Sequence, residues 1–178
     1  LDNGKEIQVT TDGKNNEIKN GWADWVYEEE FSKANYFEWN ADGSKLAFVR
    51  FDESKVKEYS FDEYNNNLYP DKVTFKYPKA GEDNSVLSVY VYDLAGNKTT
   101  MVDIGKETDI YIPRIQWTTD RNTLSLQRMN RLQNKVELLY ANATDGSTKT
   151  ILNEESKTYI DITDDLIFLP NNKGFIWS

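Results

Sequence analysis

The chain contains short runs in which hydrophobic and polar residues alternate, separated by turn-forming residues. Val86, Ser88 and Tyr90 belong to a run rich in β-branched and aromatic side chains, which favours a strand over a helix. Residues 86–102 hold two such runs around a turn that contains glycine, and residues 136–152 hold two more. The pattern therefore predicts successive β-hairpins.

Three longer segments share one pattern. Each has an aromatic residue, an Asp or Asn three positions after it, and apolar residues seven and nine positions after it. They start at Trp39, Trp117 and Phe168, and Asn171 is the turn residue of the third. The starts are 78 and 51 residues apart, and one four-stranded blade of a β-propeller takes about 40–50 residues. We predict an all-β fold in which residues 1–178 form a partial β-propeller of about three to four four-stranded blades, open at both ends.

The start of the chain has weaker signals. Ile7, Val9 and Ile18 alternate with polar neighbours, and the pairs Asp12-Gly13 and Asn20-Gly21 favour tight turns. We predict short strands joined by these turns, as the end of a β-unit that begins upstream.

The first repeat interval exceeds one blade by about 30 residues. The surplus lies in residues 52–84, a segment rich in Tyr, Asn and Lys that also contains Pro70 and Pro78. Its composition fits a long surface loop. A loop of this length is usually either functional or disordered.

Residues 24–35 begin with the sequence Asp-Trp-Val-Tyr-Glu-Glu-Glu and predict a short acidic helix. Asp24 can cap its first turn. The glutamates can simply form a solvated helix face in an acidic protein. Alternatively, two neighbouring carboxylates can share a cation such as a primary ammonium, which supplies three donors and one positive charge.

Composition limits the possible functions. The chain has 30 Asp and Glu against 21 Lys and Arg, a net charge of -9 that argues against binding nucleic acid. Without cysteine it has no disulfide or thiolate metal site, and without histidine it has no base for a Ser-His-Asp triad. The aspartates of residues 161–165 lack calcium-loop spacing. We expect neither a metal nor a cofactor, and no apolar run is long enough for a transmembrane helix.

The motif at residues 24–30 resembles the Asp-Trp-Val-Tyr-Glu-Glu-Glu signature of the dipeptidyl peptidase IV family. Segments at 69–70, 77–81 and 126–134 are similar to further family segments in the same order, so the resemblance extends from about Thr10 to Trp177. It implies the N-terminal β-propeller domain of a bacterial serine peptidase that releases N-terminal dipeptides ending in proline or alanine.

The resemblance also implies roles for individual residues. In the family, the second and third glutamates of the motif bind the α-amino group of the peptide substrate, and they correspond to Glu29 and Glu30; Glu28 is expected to be structural. The catalytic residues would belong to an α/β-hydrolase domain after residue 178, so we expect none here. The family also implies that residues 52–84 form a homodimerisation arm and that the protein is periplasmic or in the cell envelope. Since the chain begins without Met, we expect it to be part of a longer one.

Two alternatives stay open. One is a non-catalytic propeller module that binds protein or glycan, and the other is a related prolyl tripeptidyl peptidase. Residues 158–166 contain aspartates where mammalian members have a Phe-Arg substrate contact, so no outer-subsite residue is assigned there. We interpret Arg128 and Arg131 as structural.

Overall fold

The computed structural model describes residues 4, 6–170 and 173–178. Their secondary structure is antiparallel β-sheet plus one short α-helix, α1, at Trp25–Glu30. The strands are β1 Ile18–Asn20, β2 Phe37–Trp39, β3 Lys45–Asp52, β4 Glu58–Glu63, β5 Asp71–Lys76, β6 Val86–Asp93, β7 Lys98–Val102, β8 Ile110–Trp117, β9 Thr123–Asn130, β10 Lys135–Asn142, β11 Thr148–Glu155, β12 Ile167–Phe168 and β13 Phe175–Ile176. The predicted all-β class is confirmed, and α1 lies within the predicted acidic segment.

The first blade is built around β3. One edge of β3 pairs with β6, which pairs in turn with β7. The other edge pairs with two short strands, because Ile18 to Asn20 align with Asp52 to Arg50 while Phe37 to Trp39 align with Phe48 to Leu46. The first strand of this blade is therefore split, and α1 lies in the interruption.

The second blade is an uninterrupted meander of β8, β9, β10 and β11. Its strand β9 is buried on both faces, since Leu124 and Leu126 are buried on one and Ser125 and Gln127 on the other. Strands β12 and β13 begin a third blade. The described residues thus represent three blades, of which two are complete, in agreement with the predicted partial propeller of about three to four blades.

The internal repeat marks the same connection in each blade. Trp39, Trp117 and Phe168 each end a first strand, and the backbone N–H of the next residue donates to the carbonyl oxygen six residues after the aromatic, at 2.9–3.1 Å. Asn171 and Asn172 lie outside the described residues. The sequence repeat is therefore the hairpin that joins the first two strands of a blade.

The surplus segment folds as a hairpin rather than a loop without regular structure. Strands β4 and β5 pair from Glu58 with Lys76 to Glu63 with Asp71, between the second and third strands of the first blade. Every residue of β4 is exposed. This hairpin, called the arm below, therefore projects from the first blade.

The interpretation of the N-terminal segment was partly wrong. Among the described residues before α1, the only strand is β1, and the tight turn runs from Lys14 to Ile18, whose N–H donates to the Lys14 carbonyl at 2.8 Å. Asn16 takes a positive φ of 56° there. The pair Asn20-Gly21 does not form the predicted hairpin turn. Gly21 instead follows the end of β1, where the chain continues towards α1.

The two complete blades share a hydrophobic core. It contains alternate residues of β6, such as Val89 and Val91, and reaches Leu124 and Leu126 in the second blade. Tyr27 of α1 is part of the same core. Among the described residues, no helix combines the length and the apolar character that crossing a membrane requires.

Candidate functional site

The acidic helix is fixed at its first residue by a buried cap. Asp24 has extended backbone angles, and its Oδ1 accepts a hydrogen bond from the Tyr27 N–H at 3.0 Å. Its Oδ2 accepts one from the Ser85 hydroxyl at 2.6 Å. Burial raises the pKa of the Asp24 carboxyl, although both hydrogen bonds oppose the rise. The cap therefore fixes where the helix begins.

Tyr27 anchors the middle of the helix in the core. Its side chain is 2% exposed and its ring packs edge-on against Tyr36 and Phe51, with centroids 5.2 and 4.9 Å apart. Its phenol oxygen accepts a hydrogen bond from the backbone N–H of Ile112 at 2.8 Å. Burial raises the pKa of Tyr27 well above its ordinary value, so the phenol stays protonated.

The second blade receives the helix at an irregularity in β8. The register of β8 against β9 shifts between Tyr111 and Arg114, and the two residues between them turn to the helix side. There Ile112 donates to Tyr27, and the Pro113 carbonyl accepts from the Tyr36 hydroxyl at 2.8 Å. Because proline has no N–H, the bulge leaves no donor unpaired at that position.

Glu29 and Glu30, the predicted site residues, form the last turn of α1. Both side chains are exposed, and neither carboxylate has a hydrogen bond or an ion pair with another described residue. A helix C-terminus disfavours negative charge, and no basic residue lies in this last turn. Among the described residues, local structure therefore does not stabilise these two carboxylates.

Glu30 also lines a cleft of about 330 Å³ between the helix and the second blade. The other polar side chains of this cleft are Ser32, Arg114, Gln133, Asp161 and Asp164. Arg114 Nε donates to Asp164 at 2.5 Å and holds the pKa of that carboxyl below its usual range. Since the Arg114 charge is compensated by Asp164, Glu30 and Asp161 leave the cleft with excess negative charge. The cleft is suited to a cation.

The arginines singled out in the sequence lie elsewhere and are structural. Arg128 donates from Nε and Nη2 to Glu137 and from Nη1 to the Ile104 carbonyl. Arg131 contacts Asp109 and the carbonyl of residue 82. The sequence reasoning missed Arg114, which no motif marks and whose partner Asp164 lies 50 residues later.

Comparison with known proteins gives the family. The family described as "Dipeptidyl peptidase IV (DPP IV) N-terminal region" matches residues 1–178. In the crystal structure of Porphyromonas gingivalis dipeptidyl peptidase 4, the equivalent region is 44% identical with a TM-score of 0.92, over 98% of this chain and 25% of that one.

Two curated relatives extend the comparison. Venom dipeptidyl peptidase 4 of Vespa velutina is 34% identical over 166 residues, which are 87% of this chain and 21% of the relative. Inactive dipeptidyl peptidase 10 of Rattus norvegicus is 32% identical over 159 residues, 86% of this chain and 20% of the relative. The chain spans about a fifth of the length of these relatives. The resemblance read from residues 24–30 is confirmed, and the chain belongs to the dipeptidyl peptidase IV N-terminal region family.

Proposed function

We propose that this region recognises the free amino terminus of a peptide, and that Glu29 and Glu30 bind the α-ammonium group. The observation that carries the proposal is a helix fixed by buried contacts that ends beside an acidic cleft in two exposed carboxylates, neither of which pairs with another described residue. Unpaired neighbouring carboxylates repel each other, and a shared cation relieves that repulsion. Glu28, in the first turn of α1, is left out of this role.

An ammonium group suits the arrangement because it supplies three donors and one charge. At a separation of about 4 Å near a protein surface, each carboxylate attracts it by about 4 kcal/mol before desolvation. A peptide held by its first nitrogen presents its second peptide bond at a fixed distance. Positioning of this kind contributes a large share of enzymatic rate enhancement.

We further propose that the parent protein is a serine peptidase that releases N-terminal dipeptides ending in proline or alanine. The relatives named dipeptidyl peptidase 4 support this activity. Because the sequence contains no histidine, the Ser-His-Asp triad would come from an α/β-hydrolase domain elsewhere in the parent. The expected location is the periplasm or cell envelope.

The arm is the proposed homodimerisation element. Tyr59 and Phe61 of β4 pair across the hairpin with Phe75 and Val73 of β5 and form one apolar face. Both β4 aromatics are more than 40% exposed, and such faces mark interaction surfaces. Light scattering of the complete protein tests this, since Phe61→Asp is expected to shift a dimer towards monomer.

The amine-binding proposal is tested by kinetics on the complete protein with free-amine dipeptide substrates. Glu29→Gln and Glu30→Gln each remove one charged hydrogen-bond acceptor, so kcat/KM is expected to fall by about tenfold or more. Glu28→Gln is the matched control and is expected to retain its activity. If Glu29→Gln and Glu30→Gln both fold normally by circular dichroism and have unchanged kinetics, the proposed binding of the α-ammonium group is contradicted.

A non-catalytic binding module is the second candidate, because one relative at 32% identity is named inactive. Mass spectrometry of a proline-containing peptide incubated with the complete protein distinguishes the possibilities. Dipeptide release supports the first proposal, tripeptide release supports a prolyl tripeptidyl peptidase, and an intact peptide supports the binding module.

A further inference from the structure

The end of the arm contacts the start of the acidic helix. Tyr77 directly follows β5, and its ring lies against the ring of Trp25, the first residue of α1, with centroids 4.2 Å apart and planes at 58°. The backbone N–H of Tyr77 donates to the Lys57 carbonyl at 2.9 Å, which closes the base of the arm. The Trp25 side chain is half-buried. The helix start is therefore packed on the arm.

The segment that returns from the arm to the first blade makes a second contact with the helix start. Ser85, just before β6, donates its hydroxyl proton to Asp24 Oδ2 at 2.6 Å. Ser85 and Asp24 are 3% and 4% exposed. Because both residues are buried, loss of this bond removes a hydrogen bond that compensates the burial of the Asp24 carboxylate.

The segment that leaves the first blade for the arm makes a third, indirect contact. Glu53 follows β3, is 1% exposed, and pairs with Lys19 at 3.3 Å. Lys19 Nζ also donates to the carbonyl of Ala23, the residue before the helix cap, at 3.2 Å. Both ends of the arm are thus joined to the chain that enters α1.

We propose that Tyr77 and Ser85 are positioning residues for the carboxylates at the opposite end of the helix. They act through Trp25 and Asp24, and this role rests on the proposed binding of an amine by Glu29 and Glu30. The helix has six residues, and helices this short do not hold their orientation without outside contacts. Its direction is therefore set by what holds its first turn and by Tyr27.

The geometry makes the end of the helix sensitive to its start. Glu30 lies five residues after Trp25, about 7.5 Å along the axis at 1.5 Å per residue. A tilt of about 10° at the start moves the last turn by roughly 1.3 Å. Displacements of about 1 Å in a substrate-positioning group can lower rates by up to a hundredfold. Loss of the ring contact is thus expected to weaken amine binding without removing any group that touches the amine.

The test compares Tyr77→Ala with Tyr77→Phe in the complete protein. The Ala variant loses the ring packed on Trp25, so KM for a free-amine dipeptide substrate is expected to rise about fivefold or more with a smaller change in kcat. The Phe variant keeps the ring and is expected to restore the wild-type KM. Tyr64→Ala, at an exposed aromatic in the loop between β4 and β5, is the control and is expected to leave KM unchanged. An equal rise for Tyr64→Ala and Tyr77→Ala, or no rise for Tyr77→Ala, overturns the proposal.

A double-mutant cycle with Glu30→Gln separates this role from general destabilisation. If Tyr77 acts by placing Glu30, Tyr77→Ala raises KM much less in the Glu30→Gln background than in wild type. If instead the two substitutions change KM independently, so that their fold-changes multiply in the double variant, the positioning role is contradicted. If Tyr77→Ala does not fold, Ser85→Ala in the same cycle provides the measurement. Failure of Glu30→Gln itself to raise KM contradicts the proposed function, whereas a normal Glu30→Gln effect with a silent Tyr77→Ala contradicts only the positioning role.

Discussion

The phenol oxygen of Tyr27 accepts a hydrogen bond from the backbone N–H of Ile112 at 2.8 Å. Tyr27 belongs to the helix inserted in the first blade, and Ile112 belongs to the bulged strand of the second. Both side chains are buried. The orientation of the acidic helix is therefore set by the adjacent blade as well as by its own.

Tyr27→Phe is expected to lower the free energy of unfolding by about 1–3 kcal/mol. The substitution keeps the ring packing but leaves the Ile112 N–H buried without an acceptor, and an unsatisfied buried donor has about this cost. Urea denaturation followed by tryptophan fluorescence gives the value.

Tyr36→Phe is the matched control for this prediction. It removes the hydroxyl that donates to the Pro113 carbonyl, but that carbonyl also accepts from Arg114 Nη1 at 2.8 Å. The loss is expected to be about 1 kcal/mol or less. A larger loss for Tyr36→Phe than for Tyr27→Phe contradicts this account of the two hydrogen bonds.

Gly146→Ala is expected to destabilise the protein by about 3 kcal/mol or more. Gly146 has a φ of 76°, and a Cβ there would overlap the Met101 carbonyl oxygen in the other blade. Its own carbonyl accepts from the Asp103 N–H at 2.8 Å, so the two blades cannot separate locally to make room without losing this bond. Thermal unfolding measures the effect.

Gly43→Ala provides the control for the backbone conformation alone. Gly43 has a similar φ of 69°, but no atom of the described residues lies within 4 Å of the position that a Cβ would take. Only the left-handed conformation is penalised, at about 1–2 kcal/mol. Equal losses for the two variants would show that the contact between the blades at Met101 is unimportant.

The hairpins and the repeat were predictable because their signals are local. A strand alternates its side chains with a period of two residues, and each repeat carries its own turn residue, so Trp39 and Trp117 mark equivalent connections without knowledge of their partners. The helix was predictable for the same reason, since Asp24 and the residues it caps are adjacent in sequence.

The split first strand was not predictable, because β1 and β2 are defined by their pairing with β3 and have only three residues each. The contact between Arg114 and Asp164 was missed for a similar reason. Neither residue has a local pattern that differs from an ordinary exposed charge, and the fold brings them together. For the proposed amine site, the sequence indicated the carboxylates but not the contacts that orient them.

Asp24→Asn is expected to change how stability depends on pH. Burial raises the pKa of Asp24 in the folded protein above its ordinary value of 3.8, so the folded state holds this proton more tightly than the unfolded state. Stability from this group is present below pH 3.8 and is lost as the pH rises through the folded-state pKa. Asn keeps an oxygen for the cap and does not titrate.

The measurement is the free energy of unfolding of both proteins across this acidic range. The difference, Asp24→Asn minus wild type, is expected to increase with pH and then reach a plateau. Glu53→Gln is expected to give the same sign, because burial also raises the pKa of Glu53. A difference that stays constant with pH contradicts the raised pKa of Asp24.

Two arginine pairs are expected to differ in their contribution to stability. Arg128 donates twice to Glu137, at 2.9 and 2.6 Å, and both side chains are less than a quarter exposed. Glu137→Gln is therefore expected to cost about 1–3 kcal/mol. The Asp164 side chain is 79% exposed where it meets Arg114, so Asp164→Asn is expected to cost at most about 1 kcal/mol and less at high salt. Urea denaturation at low and high salt checks the order, and a reversed order contradicts it.

If Glu29 and Glu30 bind the α-ammonium group, substrate binding is expected to weaken at alkaline pH. A peptide α-amino group has a pKa of about 7.7–8.0, and only its protonated form carries the charge that Glu29 and Glu30 would bind. KM for a free-amine substrate is therefore expected to rise as the pH increases through this range.

The Glu30→Gln variant tests whether the charge of Glu30 causes this rise. The substitution replaces one of the two charges with an amide, which discriminates less between the charged and neutral amine. Its KM is expected to be higher at neutral pH but to rise less steeply, whereas Glu28→Gln is expected to follow wild type. Parallel pH profiles for wild type and Glu30→Gln would show that the charge of Glu30 does not select the protonated amine.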